Sequence, residues 1–289
     1  MMEAMFQQCE DMIRKGSSSF YHAFRGLPSP RREAVYVIYA FCRLIDDSVD
    51  EPGHAPYSIF ELRSRFESLE QAEGHFIWPA LRWLFETFPQ LDQGPFLRQM
   101  EGQLSDLVLT RYTTMPELES YCYLVAGTVG EMLLPVLRED ADLSSTASGI
   151  ALGKGMQIVN VMRDVGEDKR RGRRYIPLEL MARHGYTEDD FEHERVNAAF
   201  ISMMKELKER ALTFFRQGLA FLDSYPRESG LAVELSAIFY FSIIQAIEEN
   251  EYDVFRKRAY VSDESKLRLY FSVAARYAKD SRVTEAAVL

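Results

Sequence analysis

The sequence predicts an all-α protein, and three observations carry that expectation. Apolar residues recur at helical spacing through most of the 289-residue chain, while strand-like alternation is weak. The connections are short, as in Pro89-Gln90-Leu91-Asp92, Thr113-Thr114-Met115 and Ser224-Tyr225-Pro226. No long linker, internal repeat or low-complexity tract interrupts the pattern, so residues 1–289 read as one all-α domain.

The elements follow in chain order. Ser29-Pro30 reads as a helix start, with Ser as N-cap and Pro in the first turn. Ala34 to Ile45 is apolar on nearly every side, the mark of a central helix. It is expected to run to about Asp50 and stop at the breaker cluster Glu51-Pro52-Gly53. Further helices are expected near 57–73, 76–88, 94–112, 116–137, 144–169, 177–184, 188–193, 196–224, 228–251 and 263–279. The most apolar window, Leu231 to Ile247, contains Glu234, Ser236, Ser242 and Gln245. It is shorter than the roughly 20 residues a membrane span needs and reads as a buried helix.

Composition narrows the function classes. Hydrophobic residues make up 47% and aromatics 12%, too much for a disordered chain. Against 44 acidic residues stand 34 basic ones, a formal net charge of −10, so the chain is a poor nucleic-acid partner. Anion binding through a metal ion stays open. Cys9, Cys42 and Cys122 form no CxxC pair, which excludes a thiolate zinc site and suits a reducing cytoplasm. Met1 to Arg14 has no uninterrupted apolar core, so no signal peptide is expected.

Two acidic stripes stand out. The central helix ends in Arg43-Leu-Ile-Asp46-Asp47-Ser-Val-Asp50, whose positions 43, 46, 47 and 50 share one face. Two carboxylates about 6 Å apart at an effective dielectric of about 20 repel by roughly 2–3 kcal/mol, so a cation is expected to offset them. The second stripe, Gln157, Asn160, Asp164 and Asp168, steps by three, four and four through an apolar helix. A polar line of this kind meets a buried polar partner or lines a cavity. One DxxxD is ordinarily a solvated face. Two of them, each extending an apolar helix with Arg, Asn or Gln on the same line, point to hard oxygen ligands for Mg²⁺ completed by substrate phosphates. A di-iron bundle would need helical Glu-x-x-His; Glu51-Pro-Gly-His54 is the only such tetrad and cannot be helical.

These segments resemble the squalene/phytoene synthase family of head-to-head prenyl transferases over most of the chain. The resemblance rests on Gly16-Ser-Ser-Ser-Phe-Tyr-His-Ala-Phe24, Ala40-Phe-Cys-Arg-Leu-Ile-Asp-Asp-Ser-Val-Asp50 and Tyr121-Cys-Tyr-Leu-Val-Ala-Gly-Thr-Val-Gly-Glu131. Most specific is Gln157-Ile-Val-Asn-Val-Met-Arg-Asp-Val-Gly-Glu-Asp168 followed by Gly172-Arg-Arg-Tyr-Ile-Pro177. It is closest to the bacterial dehydrosqualene synthases. It implies an isoprenoid-synthase helical bundle with a central cavity, farnesyl diphosphate as substrate, and two or three Mg²⁺ ions bridging diphosphate.

By that resemblance, Asp46, Asp50, Asp164 and Asp168 hold metal, with Asn160 a further ligand and Asp47 in the same motif. Gln157, Asn160 and Tyr123 belong to the reaction centre. Arg43, Arg163, Arg173 and Arg258 neutralise diphosphate, and Ser17, Ser18 and Ser19 contact it beside Phe20. Tyr39, Tyr175 and Tyr240 are candidates to face the cavity, although Tyr39 and Tyr240 read equally well as core. Phe24 and Tyr36 are expected near the cavity floor, where bulk would favour C15 over C20 chains, although Phe24 reads equally well as plain core. The run Lys169 to Arg174 is either solvated or ordered over diphosphate, and Gly127 and Gly130 read as close packing or a kink. The five histidines lie outside every motif.

Alternatives keep the site and change the outcome: phytoene, squalene or presqualene diphosphate synthesis, or hydrolysis to farnesol. A non-catalytic helical binding protein is the alternative of a different class. A monomer or homodimer with peripheral membrane contact for product release fits an apolar product.

Overall fold

The computed structural model describes residues 2–138 and 143–279. Fifteen α-helices run through them: α1 Met2–Gly16, α2 Ser18–Phe24, α3 Arg31–Asp50, α4 Ile59–Glu67, α5 Ile77–Thr87, α6 Gly94–Ser105, α7 Met115–Cys122, α8 Thr128–Leu137, α9 Leu143–Arg163, α10 Val165–Arg170, α11 Leu178–His184, α12 Glu188–Glu192, α13 Ala198–Gly218, α14 Arg227–Glu249 and α15 Asp263–Lys279. Among the described residues the one extended pairing is an isolated bridge between Arg111 and Arg174. The fold is all-α, as expected.

Helix α3 is the axis of the bundle. Its outer side meets an aromatic cluster in which Phe41 stacks on Phe66 with centroids 5.1 Å apart and meets Trp78 edge-on at 6.2 Å. Its opposite side faces the cavity described below. Helix α9 packs between α8 and α13, and α14 lies against α9, α2 and α15. The stretches Met115–Leu137 and Arg227–Glu249 are both long and apolar enough to cross a membrane, yet 50% and 72% of their apolar windows are buried inside the bundle. Leu231 to Ile247 is mostly buried within the bundle, with Gln245 exposed.

Several boundaries differ from expectation, each for a local reason. Helices α1 and α2 were not anticipated, although Met5, Cys9 and Ile13, spaced by four, are the buried stripe of α1. Ser29 does not cap α3: Pro30 occupies the cap position without a side-chain hydrogen bond, so the Ser29 hydroxyl lies one residue too far out. The stretch 57–73 breaks at Ser68 into α4 and a short 3₁₀ turn, Leu69–Gln71. Helix α6 stops at Ser105 rather than near Tyr112; Asp106, just past its end, accepts a hydrogen bond from the Tyr121 hydroxyl at 2.8 Å. Helix α9 breaks at Asp164, where the backbone leaves the helical region and Arg163 grips the Asp164 side chain.

Helices α7 and α8 form one course interrupted by a π-helical turn, Tyr123–Gly127. The expected role of the glycines is visible there. A side chain at Gly130 would run into the Gly149 carbonyl, and one at Gly153 into the Ala126 carbonyl. The backbones of α8 and α9 touch directly, leaving the larger side chains to wall the cavity. Gly130→Val should therefore destabilise the protein by about 3 kcal/mol, since two backbones cannot yield as a flexible side chain would. A thermal melt checks it; an unchanged midpoint would show that the helices can part freely.

Candidate active site

A central cavity of about 420 Å³ opens between α2, α3, α8, α9 and α14. The chemistry of its wall changes along its length. On α3 the lining runs from Val35 through Ile38, Tyr39 and Cys42 to Asp46; on α9 it runs from Gly149 through Leu152 and Met156 to Asn160. At 1.5 Å per residue, each gradient from apolar to polar spans about 16 Å. Phe20 lies level with Tyr39, their centroids 6.4 Å apart, and also meets Tyr240 at 5.8 Å. Phe24, one turn further along α2, stacks on Phe20 at 5.8 Å. The pairs Phe20–Tyr39 and Tyr21–Tyr36 run α2 against the direction of α3, so Phe24 lies toward the apolar end of the lining.

The two acidic stripes meet around the polar end, threaded by arginines. Asp50 takes hydrogen bonds from Arg171 at 2.6 Å and Arg173 at 2.7 Å. Asp164 takes two from Arg163, at 2.8 and 2.5 Å, and one from Arg258 at 2.9 Å. Burial raises the Asp164 pKa, but these guanidiniums outweigh it and hold the carboxyl below its ordinary range. Two carboxyls lack such compensation. Burial, with Asp50, Asp47 and Asp106 nearby, pushes Asp46 up to about 7 against the pull of Arg43. Burial, Asp164 and Glu167 push Asp168 up to about 8. Asp106, a third buried carboxyl, is pushed up to about 6, chiefly by burial.

Crowded, under-compensated carboxylates are what a bound cation would relieve. Asn160 adds a further donor: its Nδ2 donates to Gln157 Oε1 at 3.1 Å, while its Oδ1 is buried without a hydrogen-bond partner. This donor set, all hard oxygen, fits a divalent cation such as Mg²⁺. Among the described residues no three His, Cys, Asp or Glu side chains form a ready-made cage. That arrangement suits a metal whose shell is completed by phosphate oxygens and water.

A sequence model described as squalene/phytoene synthase matches residues 13–265. The chain belongs to the squalene/phytoene synthase family. Members of this family are prenyl transferases, and this synthase is one of them. It is 36% identical over 274 residues to phytoene synthase 2, chloroplastic, of Zea mays, covering 91% of this chain and 67% of that protein. It is 35% identical over 277 residues to 15-cis-phytoene synthase of Synechococcus elongatus, covering 91% and 90%. Among solved structures, a dehydrosqualene synthase in complex with ligand superposes with a TM-score of 0.89 at 29% identity, covering 96% of this chain and 98% of that one.

Of the residues singled out from sequence, Ser17, Ser18, Ser19, Phe20, Phe24, Tyr39, Asp46, Gln157, Asn160, Arg163, Tyr240 and Arg258 line the synthase cavity. Tyr39 and Tyr240 are therefore wall residues rather than plain core. Asp50, Asp164 and Asp168 lie outside the cavity lining, Asp50 and Asp164 in the arginine pairs above. The basic run is split: Arg170 and Arg171 are exposed, while Arg173 and Arg174 are withdrawn, with Arg171 and Arg173 engaging Asp50 and Arg174 pairing with Glu188.

Four residues lie elsewhere than expected. Arg43 turns to Asp47 at 2.5 Å, away from the cavity wall. Tyr36 is buried against Tyr21, centroids 6.2 Å apart, and does not reach the floor. Tyr175 lies behind the acidic stripes, stacked on Tyr121 at 4.9 Å. Tyr123 lines a separate outer groove, its hydroxyl donating to Glu131 at 3.2 Å.

Sequence reasoning missed Asp106, Tyr121, Gln103 and Lys266. Gln103 donates to Asp46 at 2.5 Å. Tyr121 reaches Asp106 and the Tyr175 hydroxyl, the latter at 3.2 Å. Lys266, buried in the cavity wall, donates to Ser18 Oγ at 2.5 Å. Tyr121→Phe strips a hydrogen bond from a buried carboxyl, so kcat should fall about tenfold to a hundredfold. Tyr123→Phe, in the outer groove, should stay within about twofold of the unaltered enzyme. Steady-state kinetics on the two variants check the contrast.

Proposed function

We propose that this enzyme joins two farnesyl diphosphates head to head, through presqualene diphosphate, to give dehydrosqualene without a reductant. The observation that carries this reading is Phe24 on the cavity lining, its ring stacked on Phe20 and closing part of the depth open to a prenyl chain. An extended carbon chain advances about 1.2 Å per bond, as an extended backbone does, so farnesyl reaches about 13 Å and geranylgeranyl about 18 Å. The longer chain is the one a Phe24 ring on the lining obstructs first. The likeness to a dehydrosqualene synthase over nearly the whole of both chains supports the same reading. A second reading, phytoene formation from C20 donors, is favoured by the phytoene synthase relatives.

In this reading Asp46, Asp50, Asn160, Asp164 and Asp168 would hold Mg²⁺. When bound, Mg²⁺ supplies Lewis-acid stabilisation of the departing diphosphate. Arg258, Lys266 and Ser18 donate hydrogen bonds to diphosphate oxygens at the polar end. Phe20, Tyr39 and Tyr240 present ring faces and edges to the allylic cation left when the first C1–O bond breaks. The apolar wall keeps water from that cation, so the C2=C3 double bond of the second substrate attacks it instead. Loss of one proton closes a cyclopropane. A second ionisation, rearrangement and proton loss give the C30 polyene, the released diphosphate accepting the proton. Cys9, Cys42 and Cys122 are free and buried, which supports a reducing cytoplasm. The chain acts as one unit, 1–289.

The experiment is product extraction after incubation with Mg²⁺ and each donor separately. A C30 conjugated triene from farnesyl diphosphate, in excess over C40 from the C20 donor, is expected. Farnesol alone, or preferred use of the C20 donor, would contradict the assignment.

A further inference from the structure

We propose that Gln103 and Gln99 of α6 are positioning residues for the reaction, forming a two-rung amide ladder that holds α3 in register and sets Asp46 for a divalent cation. Gln99 and Gln103 are spaced by four and share a face of α6, as Cys42 and Asp46 share a face of α3. The two faces meet rung for rung. The Cys42 thiol donates to Gln99 Oε1 at 3.1 Å, and Gln103 Nε2 donates to Asp46 Oδ1 at 2.5 Å. Gln99 is 2% exposed, and it lines the cavity together with Cys42 and Asp46. Helix α6 is braced from behind. A side chain at Gly102 would meet Leu124 Cβ at 2.7 Å and Val125 Cγ1 at 3.0 Å, so α6 lies flush against the π-helical turn. Helix α3 cannot slide along α6 without breaking both rungs.

A neutral donor suits this place. Asp50 and Asp164 each accept from two arginines, whose charge opposes a metal ion. Arg43 pairs with Asp47, and Asp46 takes its hydrogen bond from Gln103. A carboxylate only accepts, so the amide nitrogen must face it, and that contact fixes the rotamer. The amide carries no net charge, so it leaves the charge of Asp46 to a cation. One carboxylate oxygen is occupied, and the other is left to coordinate. Partners of this kind orient metal ligands, and their loss costs about tenfold to a hundredfold in metal affinity. Neither glutamine belongs to an acidic stripe or to a segment that carries the family resemblance. The proposal rests on the reading above in one respect: the stripes hold a divalent cation.

The test is Mn²⁺ binding to the full chain without substrate, read from the electron paramagnetic resonance signal of free Mn²⁺. Gln103→Met keeps the length of the side chain and removes the donor, so Mn²⁺ affinity should fall about tenfold to a hundredfold. Gln99→Met breaks the farther rung and should cost about threefold. Cys42→Ala breaks that rung from the other side and should cost the same. The two combined should cost no more than either alone, since both remove one hydrogen bond. Thermal melts accompany each variant, because simple loosening of the fold lowers the midpoint and leaves Mn²⁺ affinity unaltered. Unchanged affinity in Gln103→Met, or fully additive losses for Cys42→Ala and Gln99→Met, would overturn the ladder and leave the metal reading intact. An unaltered chain that binds no Mn²⁺ would overturn the metal reading and the ladder with it.

Discussion

Asp164→Ala should lower turnover of farnesyl diphosphate by about a thousandfold, the largest single loss expected at this site. The side chain gathers two cations, Arg163 and Arg258, and stands on the same line as Asn160 and Asp168. Its removal withdraws negative charge from the proposed metal site and leaves the Arg163 guanidinium, only 18% exposed, without its acceptor. Losing one partner of such a pair costs about 3–5 kcal/mol when fully buried, so the alanine variant should also melt earlier. Asp164→Asn separates the two effects. It keeps the shape and the hydrogen-bond acceptor for arginine, and should retain more of the stability while still losing about a hundredfold in turnover through the missing charge. Retained activity in either variant would refute joint action by the two stripes.

Phe24→Ala should raise use of a C20 donor relative to a C15 donor by about tenfold, with modest loss of C15 turnover. A buried Phe→Ala change in a packed core costs about 3–5 kcal/mol. Phe24 has one face on open cavity, so the cost here should fall to about 2 kcal/mol. The gain in depth is what matters: without the ring, the longer C20 chain gains room where Phe24 lined the cavity. Tyr36→Ala is the control. Its ring packs on Tyr21 outside the cavity, so it should destabilise the protein without moving the C20 to C15 ratio. Competition between the two donors, with products separated by chain length, reads the ratio directly. An unchanged ratio for Phe24→Ala, or the same shift for Tyr36→Ala, would count against the floor argument.

The contrast between Phe24 and Tyr36 shows what a sequence does and does not make legible here. Both are bulky and lie in apolar helices, and only the packing of α2 against α3 decides which of them meets the cavity. The acidic stripes were legible because each is local: positions spaced by three and four share a helix face whatever the tertiary fold. Asp106, Tyr121 and Lys266 were not, since none belongs to an acidic stripe and each reaches the site only when α6, α7 and α15 are packed. Tyr121 and Tyr123 are the sharpest case. Two residues apart on a helix, they point to opposite sides. One meets Asp106 and the other the outer groove. Helix α1 was overlooked for a different reason: its buried stripe is a single line of Met5, Cys9 and Ile13 among polar residues. A narrow stripe is weak beside the all-round apolar run of α3. The break at Asp164 escaped because helical periodicity continues through it: Asp168 N–H still donates to the Asp164 carbonyl at 2.8 Å.

The most direct measurement is a crystal structure with Mg²⁺ and a farnesyl diphosphate analogue that cannot ionise. The account predicts metal density between Asp46 and Asp50 on one side and Asn160, Asp164 and Asp168 on the other. It predicts the diphosphate beside Arg258 and Lys266, and the prenyl tail running toward Phe24. Diphosphate held instead by Lys154, Arg183 and Arg210 in the outer groove, with the acidic stripes still closed on their arginines, would contradict it.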